Sequence, residues 1–301
     1  MMIATEQVAQ LLLFAAIGFF LCKAKIADNH QSGLLSRLCL YVSLPSTIFR
    51  TYATNFTPDY LKRYWSLMLI SFVILALLVI LSPLVAKLLT KDAYRQKIFR
   101  YSLTIPNYGY VGYALAEGIF GSQMLLNVMM FVMPMSLYTY SLGYCMLTRT
   151  KISLKRLLNP PMIALLAGSI VGYFGIDLPN PANLFLSKAA ACNGPFSMLM
   201  TGMVISEYAI LPMLKDWRVY TISAFRLLVI PIATAACLLL LGLDFAVIPA
   251  LLVLAVPCGL NTVIFPKLID EDCRTGASLA FVTSILCIVT VPVCLLLFGC
   301  L

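Results

Sequence analysis

Charge is what this sequence has least of. Only 11% of its 301 residues are Asp, Glu, Lys or Arg, and there is one histidine, His30. A soluble domain carries about a quarter of its residues as charges, so a chain this long cannot cover itself with a water-facing surface. His30 stands in a basic connection, too isolated for a Ser-His-Asp triad or a metal site. No phosphate-binding glycine loop ending in Gly-Lys-Ser/Thr is present, which argues against ATP-driven transport by this chain alone. The ten cysteines form no CxxC pair. Cys22, Cys39, Cys145, Cys237, Cys287 and Cys294 lie inside apolar stretches and read as small buried hydrophobes, not disulfides or ligands. No cofactor and no metal are expected, and the enzyme readings fall away.

What is there is apolar. Hydrophobic residues make up 61% of the chain and the mean hydropathy is +0.96, the signature of an all-α integral membrane protein of many spans. The net charge of +9 could suggest nucleic acid in a soluble protein. Here the basic residues sit in short loops between apolar runs, where they set orientation, so no nucleic acid is expected. Ten spans can be drawn at residues 6–22, 34–53, 64–89, 98–120, 124–148, 158–177, 183–206, 217–243, 245–269 and 276–300. The odd connections hold Lys23, Lys25, Arg37, Lys87, Lys91, Arg95, Lys97, Arg100, Arg149, Lys151, Lys155, Arg156, Lys215, Arg218, Lys267 and Arg274. The even ones hold only Arg50, Lys62, Arg63 and Lys188. Odd loops are therefore expected in the cytoplasm and both termini outside. The first apolar run has no Lys or Arg before Val8 and no small-residue cleavage site after it, so it reads as a retained span.

The basic connection 149–157 separates a first unit, 1–148, from a second, 158–301, with five spans in each. An odd number of spans inserts the second unit upside down relative to the first, the pattern of an inverted repeat. Spans four and nine are both interrupted, at Pro106-Asn107 with Gly109 and Gly112, and at Pro257 with Gly259 and Asn261. Proline removes a backbone donor and clashes with the preceding turn. In lipid, freed backbone is tolerated only where it is buried in protein or lines a cavity. Spans two and seven pair as well, through Ser43-Leu44-Pro45-Ser46 and Asn193-Gly194-Pro195-Phe196-Ser197.

Two broken helices crossing at mid-membrane would present unpaired N–H groups and the positive ends of helix dipoles to an anion, a carboxylate above all. The candidate binding residues are Pro106, Asn107, Tyr108, Gly109, Pro257, Cys258, Gly259 and Asn261. The alternative is a pair of packing kinks, since proline and glycine are common in membrane helices. Ser43, Ser46, Thr47, Asn193 and Ser197 are candidates for the cavity wall. Taken singly, the hydroxyls are better explained as bonding their own backbone or neighbouring helices. Asn193 stands apart, because an amide in lipid is expensive unless partnered.

Among ionisable groups in apolar stretches, Glu117 falls at the outer interface, where snorkelling is easy. Glu207 reads as a cytoplasmic interfacial anchor, and the Asp270-Glu271-Asp272 run as solvated. Arg226 lies about nine residues into its span. It would neutralise a substrate, or pair with a carbonyl or a half-helix C-terminus; the structural role is preferred.

Asn107–Gly112 (NYGYVG) with Phe120-Gly121, Asn159-Pro160-Pro161, Pro257–Asn261, Leu44-Pro45 and the Thr275–Pro292 region together resemble the auxin efflux carrier family, which includes malonate-transporter-like permeases. The likeness covers nearly the whole chain. It implies ten transmembrane helices as two inverted five-helix repeats with two broken crossover helices, a scaffold and a moving part, in a fold similar to bile acid symporters and sodium–proton antiporters. It implies that the two crossovers and their asparagines, here Asn107 and Asn261, bind a carboxylate. The plant carriers' long hydrophilic loop is absent, Ala114 stands where the family often has proline, and the asparagine usual near Ser36 is missing, which argues against an auxin-like substrate. The expectation is a secondary transporter of a mono- or dicarboxylate such as malonate, in the plasma membrane (a bacterial inner membrane), working by alternating access. Expected partners are the bilayer, the organic anion, protons or the membrane potential for coupling, and a second copy in a homodimer. The alternatives are a sodium-coupled symporter of the bile-acid type and a transport-dead ligand sensor.

Overall fold

The computed structural model describes residues 2–153, 155 and 157–300, without the side chains of residues 2, 29 and 30. Arg156 and the His30 side chain, named above, lie outside the described residues. The first helix is α1 (Met2–Lys23). α2 (Asn29–Leu38) passes through a π-helical turn at Cys39–Ser43 into α3 (Leu44–Asn55), with Pro45 in its first turn. α4 (Pro58–Tyr64) starts at Thr57, whose hydroxyl accepts from the Tyr60 amide, and leads to α5 (Ser66–Leu89). The Asp92 carboxylate takes the amides of Tyr94 and Arg95 and so starts α6 (Ala93–Thr104), a cap worth about 1 kcal/mol. The chain leaves the helix at 105–107, turns through a π-helical Tyr108–Gly112 and continues as α7 (Tyr113–Tyr138). Inside α7, Gly121 at φ +82° interrupts the run, a left-handed conformation that costs glycine least. It falls in the gap expected between spans four and five. A further π-helical turn, Thr139–Gly143, joins α8 (Tyr144–Thr148).

The second half opens with α9 (Pro160–Tyr173), where the Asn159 side chain accepts from the Met162 amide. α10 (Asn180–Ala191) and α11 (Asn193–Ser206) are divided at Cys192, followed by the short α12 (Ile210–Leu214). α13 (Trp217–Ala224), a π-helical Phe225–Val229 and α14 (Ile230–Leu240) form one long run. α15 (Val247–Leu254) ends before a non-helical 255–260, and α16 (Asn261–Lys267) and α17 (Arg274–Leu297) complete the chain.

The described residues contain no strand, only an isolated antiparallel bridge between Pro106 and Cys258. Five helical stretches are long and apolar enough to cross a membrane: Ile3–Lys23, Pro58–Leu89, Tyr108–Thr148, Trp217–Leu240 and Arg274–Leu297. Pro160–Tyr173 and Asp244–Leu254 are shorter apolar helices. The remaining expected spans are pieced together from two helices each, so each carries its break inside the fold. Leu69, Phe72, Leu77, Ile80, Leu84 and Leu88 of α5 are exposed, Leu88 by 86%. Such a face is an aggregation site in water and an ordinary lipid contact in a bilayer.

Two packed groups stand out. In one, α1 lies on α11 and α3 on α9 and α10. Here glycine permits close approach: a Cβ on Gly202 would overlap the Ala15 carbonyl, and one on Gly168 would sit 2.7 Å from the Phe49 carbonyl, the small-residue contact by which membrane helices associate. In the other group α5 packs on α6 and α7, α15 on α7 and α14, and α13 on α17.

Candidate functional site: a crossover of two broken helices

The two interrupted stretches meet. Pro106 pairs antiparallel with Cys258, and the Asn107 amide donates to the Pro257 carbonyl at 2.9 Å. The neighbouring Ile105, Val256 and Cys258 are buried, so these peptide groups satisfy one another away from solvent, as they must. Gly259 lies against this contact, where an added Cβ would come 3.4 Å from the Pro106 carbonyl. The Cys258 amide is taken by the Thr283 hydroxyl of α17 at 3.0 Å, a partner the sequence reading missed.

The asparagines divide their work. Asn107 is buried at 6% exposure; its carbonyl accepts from the amides of Val111 and Gly112, and its side chain makes no capping bond. Asn261 donates from Nδ2 to the Tyr101 hydroxyl at 2.9 Å. Asn193 donates to the Gly109 carbonyl at 3.0 Å and accepts from Ser43 Oγ at 3.5 Å. It thereby ties α11 and the turn before α3 to the crossover, the amide partnering its chemistry called for. Tyr108 accepts from Ser136 Oγ at 3.1 Å. Thr47 and Ser197 donate to carbonyls one turn back on their own helices, as expected of hydroxyls in membrane helices. Ser46 is buried on α3.

A cavity of about 40 Å³ lies beside Tyr108 and Gly109, walled by Leu44, Tyr113, Ser136 and Tyr140. That is room for a few waters at most, too little for a carboxylate on the Tyr108 side of the crossover in this conformation. The far larger groove of about 800 Å³ between α5 and α14 is lined by Leu77, Leu81, Phe225 and similar side chains. It offers almost no polar group and faces where lipid would lie.

The ionisable residues depart from their expected roles in part. Arg226 is fully buried, and Nη2 donates to the Val253 carbonyl at 3.3 Å, in the last turn of α15. This is the half-helix C-terminus contact that favours a cation. Glu117 does not simply snorkel: it pairs with Arg50 at 3.1 Å. Glu207 pairs with Lys267 at 2.8 Å. Glu271, expected to be solvated, pairs with Arg149, and Arg95 pairs with Asp216. Beside that basic rim, burial pushes the Tyr94 hydroxyl up to about 12. Of the apolar-stretch cysteines, Cys39, Cys287 and Cys294 are buried, Cys22 and Cys145 half-buried and Cys237 exposed; none of them is disulfide-bonded.

An all-helical chain with membrane-long apolar helices folded around a buried, broken crossing is a multi-pass membrane transport protein. The family profile described as membrane transport protein matches residues 3–151 and 146–295. The chain belongs to that family, the auxin efflux carrier family its motifs resemble. A relative named as an uncharacterized transporter from Methanocaldococcus jannaschii is 27% identical, covering 94% of this chain and 95% of its own. Another from Methanothermobacter thermautotrophicus is 26% identical over 96% of both.

Proposed function

We propose that the chain is a secondary carrier of a small organic anion, a carboxylate, with the crossover as its binding site. The observation that carries this reading is the antiparallel meeting of residues 105–107 with 257–259. These are two helix breaks at corresponding places in the two halves, the arrangement by which discontinuous helices form a carrier's binding site. Tyr108–Gly112 and α7 supply a helix start on one side. α16 is only seven residues long, so its dipole is weak and the amide of Asn261 matters more on the other. Asn107 and Asn261 orient the anion, and Pro106 and Pro257 hold the breaks open.

The packing supports two inverted five-helix repeats. The first-half helix α1 lies on α11 as the second-half helix α9 lies on α3, which are equivalent contacts if 158–301 repeats 1–148. The same reading has the first packed group as scaffold and the second as the moving part. Two ion pairs join these groups, Arg50–Glu117 directly and Glu207–Lys267 through α16, which packs on α6 and α17 of the second group. In the orientation expected from the loop charges, with termini outside a plasma membrane, the first closes the outer face and the second the cytoplasmic face. A site between two such latches suits alternating access.

Asn107→Ala and Asn261→Ala are expected to abolish transport while leaving the protein in the membrane. A hydrogen bond to a charged group is worth about 1.5–3 kcal/mol, so each change weakens anion binding roughly 10- to 100-fold. The measurement is uptake into vesicles beside thermal shifts of purified protein with mono- and dicarboxylates. Normal uptake by both variants would sink this site.

A further inference from the structure

Among the described residues, Arg226 is the one charged side chain that is buried, at 0% exposure. It belongs to none of the ion pairs formed by those residues. Its one hydrogen bond is the 3.3 Å bond from Nη2 to the Val253 carbonyl, and Nε and Nη1 have no hydrogen-bond partner. A guanidinium offers five N–H donors and stays protonated. Taking such a charge out of water is costly unless an opposite charge answers it. The C-terminus of α15 answers with at most half a unit, and α15 is short at eight residues. A positive charge therefore remains unbalanced four residues before Pro257, at the edge of the crossover.

We propose that Arg226 is the fixed counter-charge of the crossover site and selects a monovalent carboxylate as substrate. This rests on the crossover being the anion site. The arginine acts through its field, which reaches further where water is excluded than it would in water, so it is a positioning residue and contact with the substrate is not required. A monoanion brings the loaded site to neutrality. A dianion leaves one negative charge in a low-dielectric interior, and an uncharged analogue leaves one positive charge. The loaded form then crosses the membrane without net charge and needs no accompanying cation. The empty form carries the positive charge, so its return responds to the membrane potential, and an inside-negative potential drives the anion outward.

The test is thermal-shift titration of purified full-length protein with matched probes: monocarboxylates of two to six carbons, the corresponding dicarboxylates and the corresponding primary amides. Wild type is expected to bind its best monocarboxylate at least about 10-fold more tightly than the matching dicarboxylate or amide. Arg226→Gln keeps a donor for Val253 but loses the charge, and its carboxylate-to-amide ratio should fall towards one. Arg226→Lys keeps the charge and should keep the preference. An unchanged ratio in Arg226→Gln, or a lost preference in a folded Arg226→Lys, overturns the counter-charge and leaves the crossover site standing. A dicarboxylate that binds wild type as well as its monocarboxylate overturns the monovalent assignment with no variant needed. If no carboxylate shifts wild type while a cation or neutral solute does, the anion site itself falls, and Arg226 with it.

Discussion

At the scale of single residues, the legible ones were those whose chemistry is expensive in lipid. Asn193 stood out because an unpartnered amide in an apolar span costs several kcal/mol, Asn107 and Asn261 because they flank the two proline breaks, and Arg226 because a charge in an apolar span costs more. Their partners were not legible. Tyr101 lies 160 positions from Asn261, and Thr283 lies 25 from Cys258; tyrosines and threonines are too common in such helices for one to be singled out without the fold. Tyr101 gives a clean test of whether Asn261 is held for binding. It is fully buried, and its ring meets Phe265 edge-on at 6.3 Å. Tyr101→Phe keeps that ring contact and removes the hydroxyl that accepts from the Asn261 amide, a bond worth about 1 kcal/mol. Anion affinity is expected to fall roughly fivefold, with the melting temperature of ligand-free protein nearly unchanged. Titration of both proteins checks it; equal affinities would mean that Asn261 orients nothing.

At the scale of elements, the breaks at Pro106 and Pro257 were readable because proline cannot donate within a helix. The π-helical turns at Cys39–Ser43, Thr139–Gly143 and Phe225–Val229 were not, since they follow from what packs around a helix and leave its apolar pattern intact. The brevity of α16 was likewise hidden in an apolar run that continues past it. The partners of the charged residues were hidden for the same reason: Glu117 was read as an outer-interface residue and Glu207 as a cytoplasmic anchor, and only the fold brings them to Arg50 and Lys267. These pairs sit on half-exposed side chains, and each is worth about 0.2–1 kcal/mol. That is small for stability but sufficient to bias two conformations separated by little. Glu117→Gln should raise the outward-open population about two- to fivefold, and Lys267→Met the inward-open population by a similar factor. The readout is the rate at which a cysteine replacing Ser136, on the cavity wall, reacts with an impermeant thiol reagent from each side. Shifts in the same direction in both variants would show that the pairs are not opposed latches.

At the scale of the whole molecule, the multi-pass, all-helical character was readable from hydropathy, and five helical stretches are long and apolar enough to cross a membrane. The proposed ten spans and outward termini rest on the apolar runs and the loop charges, since translocating a cationic loop is disfavoured. The way the two halves face each other follows from an odd number of spans per half, so a single misassigned span would reverse it. Equivalent loops decide the matter. Ala24, after α1, corresponds to Asp177, after α9, and Lys91, before α6, corresponds to Asp244, before α15; all four are exposed. With the accessible native cysteines replaced by serine, cysteines placed at Ala24 and Lys91 should react with an impermeant reagent only from the cytoplasmic side. Those at Asp177 and Asp244 should react only from outside. Labelling of Ala24→Cys and Asp177→Cys from one side would make the halves parallel and not inverted. The half-helices could then no longer enter the crossover from opposite faces, and the symmetry that places an anion between Asn107 and Asn261 would be lost with them.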